Sequence, residues 1–131
     1  MPAELQWSDS AQRIIICTFT GEFGIENYGV MEGQLPMMVR EVSGRVDVIL
    51  HLSAGAKLPP WRGLLQEIGI ITRVMPSNFG VFVGVGDGLL LRNPLSVAVG
   101  SLFVKRYYGN GKVKVAPSVE RAIALITDLR R

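Results

Sequence analysis

Apolar positions along this chain alternate between two periods. Val46–Leu52 is a strand-like apolar run. After a loop of Ser, Gly and Pro, the residues Trp61, Leu64, Leu65, Ile68 and Ile71 recur at helical spacing. The first stretch reads as a strand, the second as a helix with Pro60 in its opening turn. Glu4–Trp7 and Arg13–Thr20 read as two further strands joined through the turn residues Ser8, Asp9 and Ser10, so the chain opens with a hairpin. From Tyr28 the apolar residues Met31, Leu35, Met38 and Val42 again predict a helix. Pro36 interrupts it, so either the helix kinks there or a second helix starts with Pro in its first turn.

The remaining half repeats the unit. Phe79–Val85 reads as a strand in which Gly80 and Gly84 share a side with Phe82, and small residues there imply a close approach by another element. Asn93 and Pro94 start a helix that runs to about Tyr108 and stops at Gly109. Lys112–Val115 alternates as a short edge strand with one wet face. Ser118 caps a last helix that places Val119, Ala122, Ile123, Ile126 and Leu129 on one face. The order β-β-α-β-α-β-α-β-α, with right-handed crossovers, predicts a single α/β domain over 1–131. Its sheet is mostly parallel, with about five strands, an antiparallel N-terminal edge strand and about four helices.

Composition narrows the class. The 131 residues suit one domain with one core, and 48% apolar with 19% charged residues excludes a disordered chain. The most apolar run, Val97–Val104, is too short to cross a bilayer, and no basic-then-apolar leader pattern opens the sequence. A cytoplasmic protein with no membrane span is the expectation. Cys17 is the one cysteine and lies in an apolar run, which fits a small core residue. The net charge of +3 is uneven: residues 1–56 carry three basic against seven acidic side chains, and the rest eleven against four. A basic C-terminal half is compatible with an acidic partner, phosphate or nucleic acid. The basic residues form no run and no nucleic-acid motif, so nucleic acid is the less favoured partner.

Three of these segments resemble the STAS domain, the fold of bacterial anti-sigma-factor antagonists and sulfate-transporter tails. Arg13–Glu22 (RIIICTFTGE) is similar to its opening strand and turn, Val46–Ser53 (VDVILHLS) to its central strand, and Ser118–Leu125 (SVERAIAL) to its last helix. The resemblance implies a non-enzymatic regulatory domain that acts through protein contact. Two departures qualify this. His51 stands where the family has an Asp, and Lys57–Gly63 (KLPPWRG) offers no hydroxyl where the antagonists carry their phosphorylated Ser. The usual phosphorylation switch is therefore not expected.

Candidate chemistry concentrates after the strands, where open α/β sheets place their ligands. Ser53, Lys57, Trp61 and Arg62 follow the central strand, and Asp87 sits in the turn after Phe79–Val85. These five are the expected partner- or ligand-binding residues. Lys57 and Arg62 offer charge and Trp61 a rigid apolar contact. Trp61 also begins a helical apolar face, which argues for inward packing. Gly84–Gly88 (GVGDG) lacks the spacing of a phosphate loop. Lys105, Arg106, Tyr107 and Tyr108 mix basic and aromatic groups, as a helix end at the surface also does. His51 is either a proton donor or ligand contact, or a hydrogen-bonded structural residue. No nucleophile elbow, acid–base pair or metal-ligand spacing is present in the sequence. The expectation is no catalysis, no cofactor and no metal. The expected partner is a regulatory protein or a small ligand, and a homodimer is compatible with either. The competing classes are a carrier of a hydrophobic ligand or lipid and a nucleic-acid binder.

Overall fold

A computed structural model describes residues 3–8, 13–19, 30–52, 70, 73–86 and 113–130. Five strands form one sheet: β1 (Ala3–Trp7), β2 (Ile14–Phe19), β3 (Val46–Leu52), β4 (Phe79–Gly86) and β5 (Val113–Ala116). Their spatial order is the chain order, β1-β2-β3-β4-β5. β1 is antiparallel to β2, with Leu5 opposite Cys17, and the Ser8 N–H closes the hairpin on the Ile14 carbonyl at 2.8 Å. β2, β3, β4 and β5 are mutually parallel. The expected α/β class, the mixed sheet and the antiparallel first strand are thus present.

Two α-helices are described, α1 (Leu35–Arg40) and α2 (Val119–Leu129). This is fewer than the four expected. The helices expected after Pro60 and after Asn93 fall mainly outside the described residues. Of the two readings of the segment from Tyr28, the described residues fit a helix that starts with Pro36 in its first turn, and this helix ends at Arg40, before Val42. Val30–Gln34 is a wider π-helical turn, and α-helical geometry begins only at Leu35, with Pro36 in the first turn. Proline has no N–H to donate, and the first turn of a helix is where that donor has no partner anyway.

α2 covers one face of the sheet. Its start is fixed by Ser118, whose Oγ accepts the Arg121 N–H at 3.2 Å. Ala122 and Ile126 are buried on it and pack with Ile14 of β2, Ile49 of β3, Val81, Val83 and Val85 of β4 and Ala116 of β5. Val119, Ile123 and Leu125 extend the contact, while Leu129, expected on the same face, is 40% exposed. The opposite side of the pleat carries Ile15 and Cys17, then Val46, Val48 and Leu50, then Phe82, and all of these are buried too. Burial on both faces explains why β2 reads as nearly continuously apolar in sequence.

One irregularity interrupts the ladder. Val46 pairs with Phe79 but Val48 pairs with Phe82, so β4 holds an extra residue there. The rings of Phe79 and Phe82 lie 4.7 Å apart as a result. A bulge leaves a backbone N–H off the ladder, and something must accept it.

Candidate functional site

The acceptor is Asp47. It is the one charged residue that is fully buried among the described residues. Its Oδ1 accepts the Val81 N–H at 2.8 Å and the Arg45 Nε–H at 3.1 Å. Its Oδ2 accepts the Arg130 Nε–H at 2.9 Å and meets Arg130 Nη2 at 2.7 Å. An isolated carboxylate in a core is strongly disfavoured, and two guanidinium groups plus a backbone amide offset that cost here. Local sequence sets up each part. Pleat alternation turns Asp47 toward the α2 side together with Ile49. The bulge delivers the Val81 amide. Gly80 leaves room for the group, because a Cβ at that position would collide with the Asp47 carboxylate and the Arg45 side chain.

Arg130 brings the end of α2 to the starts of β2 and β3 at this point. α2 starts after the carboxyl end of β5 and runs back along the sheet, so its last turn reaches the opposite end of β3. Arg130 sits at the α2 C-cap, where a cation also complements the helix dipole. Its Nη2 donates to the carbonyls of Arg13 at 2.7 Å and Arg45 at 3.4 Å. The segment before β3 is held from the other side. Asn78 Nδ2 donates to the carbonyls of Val39 at 2.8 Å, Val42 at 2.8 Å and Gly44 at 2.9 Å. One side-chain amide thus satisfies carbonyls at the end of α1 and in the loop after it.

Above this cluster lies an open depression of about 540 Å³, lined by Arg13, Arg45 and Arg130 with Ser43, Gly44 and Leu129 among their neighbours. It is at the pole where the parallel strands begin. The five residues expected to bind a partner, Ser53, Lys57, Trp61, Arg62 and Asp87, lie outside the described residues. The frame that carries two of them is described. Leu52 and Gly86, which precede Ser53 and Asp87 in the chain, are register partners in neighbouring strands. His51 is half-buried beside them, in register with Thr18 and Val85 on the α2 side of the sheet.

Cys17 is buried in β2, and burial pushes its thiol up from 9.0 to about 12. The thiol is protonated at neutral pH, so it is a poor nucleophile. Among the described residues, no three His, Cys, Asp or Glu side chains come together to hold a metal ion, and no helix is long and apolar enough to cross a membrane.

Sequence reasoning passes over Asp47, Arg130 and Arg13. Two signals point to the first. An acid stands inside an apolar strand, flanked by Arg45, and Gly80 marks a close approach in the neighbouring strand. The backbone spacing alone does not show that the approaching group is a carboxylate.

No family model, no curated protein and no solved structure matches this chain.

Proposed function

We propose that this protein is a STAS-like regulatory domain that works by contact with a protein partner or a small ligand, without catalysis of its own. The surface concerned is the set of loops at the carboxyl pole of the sheet, with Ser53, Lys57, Trp61, Arg62 and Asp87. The observation that carries this reading is the strand order. β2 to β5 are parallel and follow one another without reversal. Nucleotide-type crevices in open α/β sheets arise where the strand order reverses, and β2–β5 contain no such point. A sheet wound in one direction presents its carboxyl pole as a row of loops, which suits surface recognition. Further support comes from the three segments that resemble the family, which are β2, β3 and α2 of this fold. The ionisable core groups also serve the scaffold: Asp47 is engaged on both oxygens, and the Cys17 thiol is kept protonated.

The test compares the full chain with the Lys57→Ala/Arg62→Ala double variant. Each is purified from its native cytoplasm under mild conditions and examined by native mass spectrometry. A defined protein or small molecule retained by the parent and lost from the double variant is the expected result. A partner held equally by both would remove this surface from the proposal.

A further inference from the structure

We propose that the depression at the other pole, where the parallel strands begin, is a binding site for a small organic phosphate. It is a second site, independent of the loops discussed above. Three arginines line it, Arg13, Arg45 and Arg130, and the single carboxylate beneath them is Asp47. These four groups leave two positive charges uncompensated. A phosphate monoester dianion matches that balance, whereas a carboxylate ligand neutralises half of it. Guanidinium groups suit phosphate further because their planar N–H forks bind two oxygens at once.

The site is built in advance. Asp47, fully buried, holds the Nε of both Arg45 and Arg130, which restrains the two guanidinium groups before any ligand arrives. Among the described residues, both Nη atoms of Arg45 and the Nη1 of Arg130 meet no acceptor. The backbone of the lining loop is tethered by Asn78 through the Val42 and Gly44 carbonyls. Volume and wall chemistry set the rest of the ligand. About 540 Å³ lies in the range of small-molecule sites, and Val42 with the half-exposed Leu129 gives the wall an apolar part. The ligand class is therefore a phosphate monoester with a compact apolar or aromatic body.

The test is a titration of the isotopically labelled full chain, followed by amide shifts, with phenyl phosphate, inorganic phosphate and benzoate as probes. Phenyl phosphate is expected to give saturable shifts centred on Ser43, Gly44 and Arg45. Arg13→Gln and Arg45→Gln are each expected to weaken it by about tenfold. Arg13 is exposed and contributes its backbone carbonyl to Arg130, so Arg13→Gln remains informative if Arg45→Gln fails to fold. Leu129→Ala is expected to weaken phenyl phosphate and leave inorganic phosphate unchanged. Benzoate binding as tight as phenyl phosphate, shifts centred beyond β3 and β4, or unchanged affinity in Arg13→Gln would each overturn the proposal. The Lys57→Ala/Arg62→Ala variant is expected to bind phenyl phosphate normally, which separates this site from the partner surface.

Discussion

Among the described residues two buried side chains are ionisable, in adjacent strands, and the fold treats them in opposite ways. Asp47, at the base of β3 on the side covered by α2, is surrounded by donors. Cys17, in the middle of β2 on the opposite side of the pleat, lies between Leu5 of β1 and Leu50 of β3, and burial pushes its thiol to about 12. A core accommodates an ionisable group either by partnering its charge or by keeping it neutral. The difference in position explains which is used. Asp47 lies at the sheet's end, where two arginines reach it from the surface. Cys17 lies mid-strand between Leu5 and Leu50, and burial is the first cause of its shift.

The largest expected effect comes from breaking the partnered group. Arg130→Ala leaves the Asp47 carboxylate buried with one guanidinium, and it should cost about 3 kcal/mol in urea denaturation, the lower end for a broken buried pair because Arg130 keeps partial exposure. The Asp47→Asn/Arg130→Met double variant should recover part of that loss, because no buried charge is left and the amide oxygen still accepts the Val81 N–H. A double variant as unstable as Arg130→Ala would show that the pair contributes more than its own neutralisation.

Gly80→Ala attacks the same cluster through space alone. Its Cβ forces Asp47 and Arg45 apart, so a loss of about 2 kcal/mol is expected, measured by the same denaturation. The combination with Arg130→Ala should be clearly less than additive, since both changes act on one carboxylate.

The neutral group responds to pH instead. The Cys17 thiol keeps its proton in the fold up to about 12, whereas the ordinary value is 9.0. The unfolded chain therefore releases this proton first as pH rises. The contribution is fully present below 9.0 and is lost between 9.0 and about 12. The stability difference between the parent and Cys17→Ala should shrink across that window, and a constant difference would mean that the thiol is not held apart from water. The smallest effect concerns neither group. Ser118→Ala removes the α2 cap and should lower stability by about 1 kcal/mol, with the Asp47 cluster intact by amide shifts.

Much of the scaffold is legible in the sequence, because its signals are local. β3 is read with the bounds it has, since a β-branched apolar run between turn residues has few alternatives. Ser118 before a helical apolar face fixes the start of α2. The close approach at Gly80 is also legible, because a glycine inside a strand has to be explained by its surroundings. The Asp47 cluster is not. Asp47 and Arg130 are 83 positions apart, and they meet only because α2 is long enough to bring its last turn back to the start of β3. Arg13 enters through a backbone carbonyl, which carries no residue signature. Leu129 looks like a core residue by spacing, yet it is 40% exposed and lines the depression. The loops after β3 and β4, where sequence reasoning places the partner surface, rest on position and composition alone.

The chain-order pairing of the strands has a consequence for how the protein is made. On a ribosome, each of β3, β4 and β5 can dock on the strand before it soon after it emerges, so the sheet grows outward one strand at a time. The Asp47 carboxylate takes its place early in that growth, but Arg130 is synthesised 83 residues later. Through that interval the nascent sheet carries a half-matched charge at its base. The arrival of Arg130 completes that match, and its bonds tie the end of the last helix to Asp47 and to the carbonyls of Arg13 and Arg45.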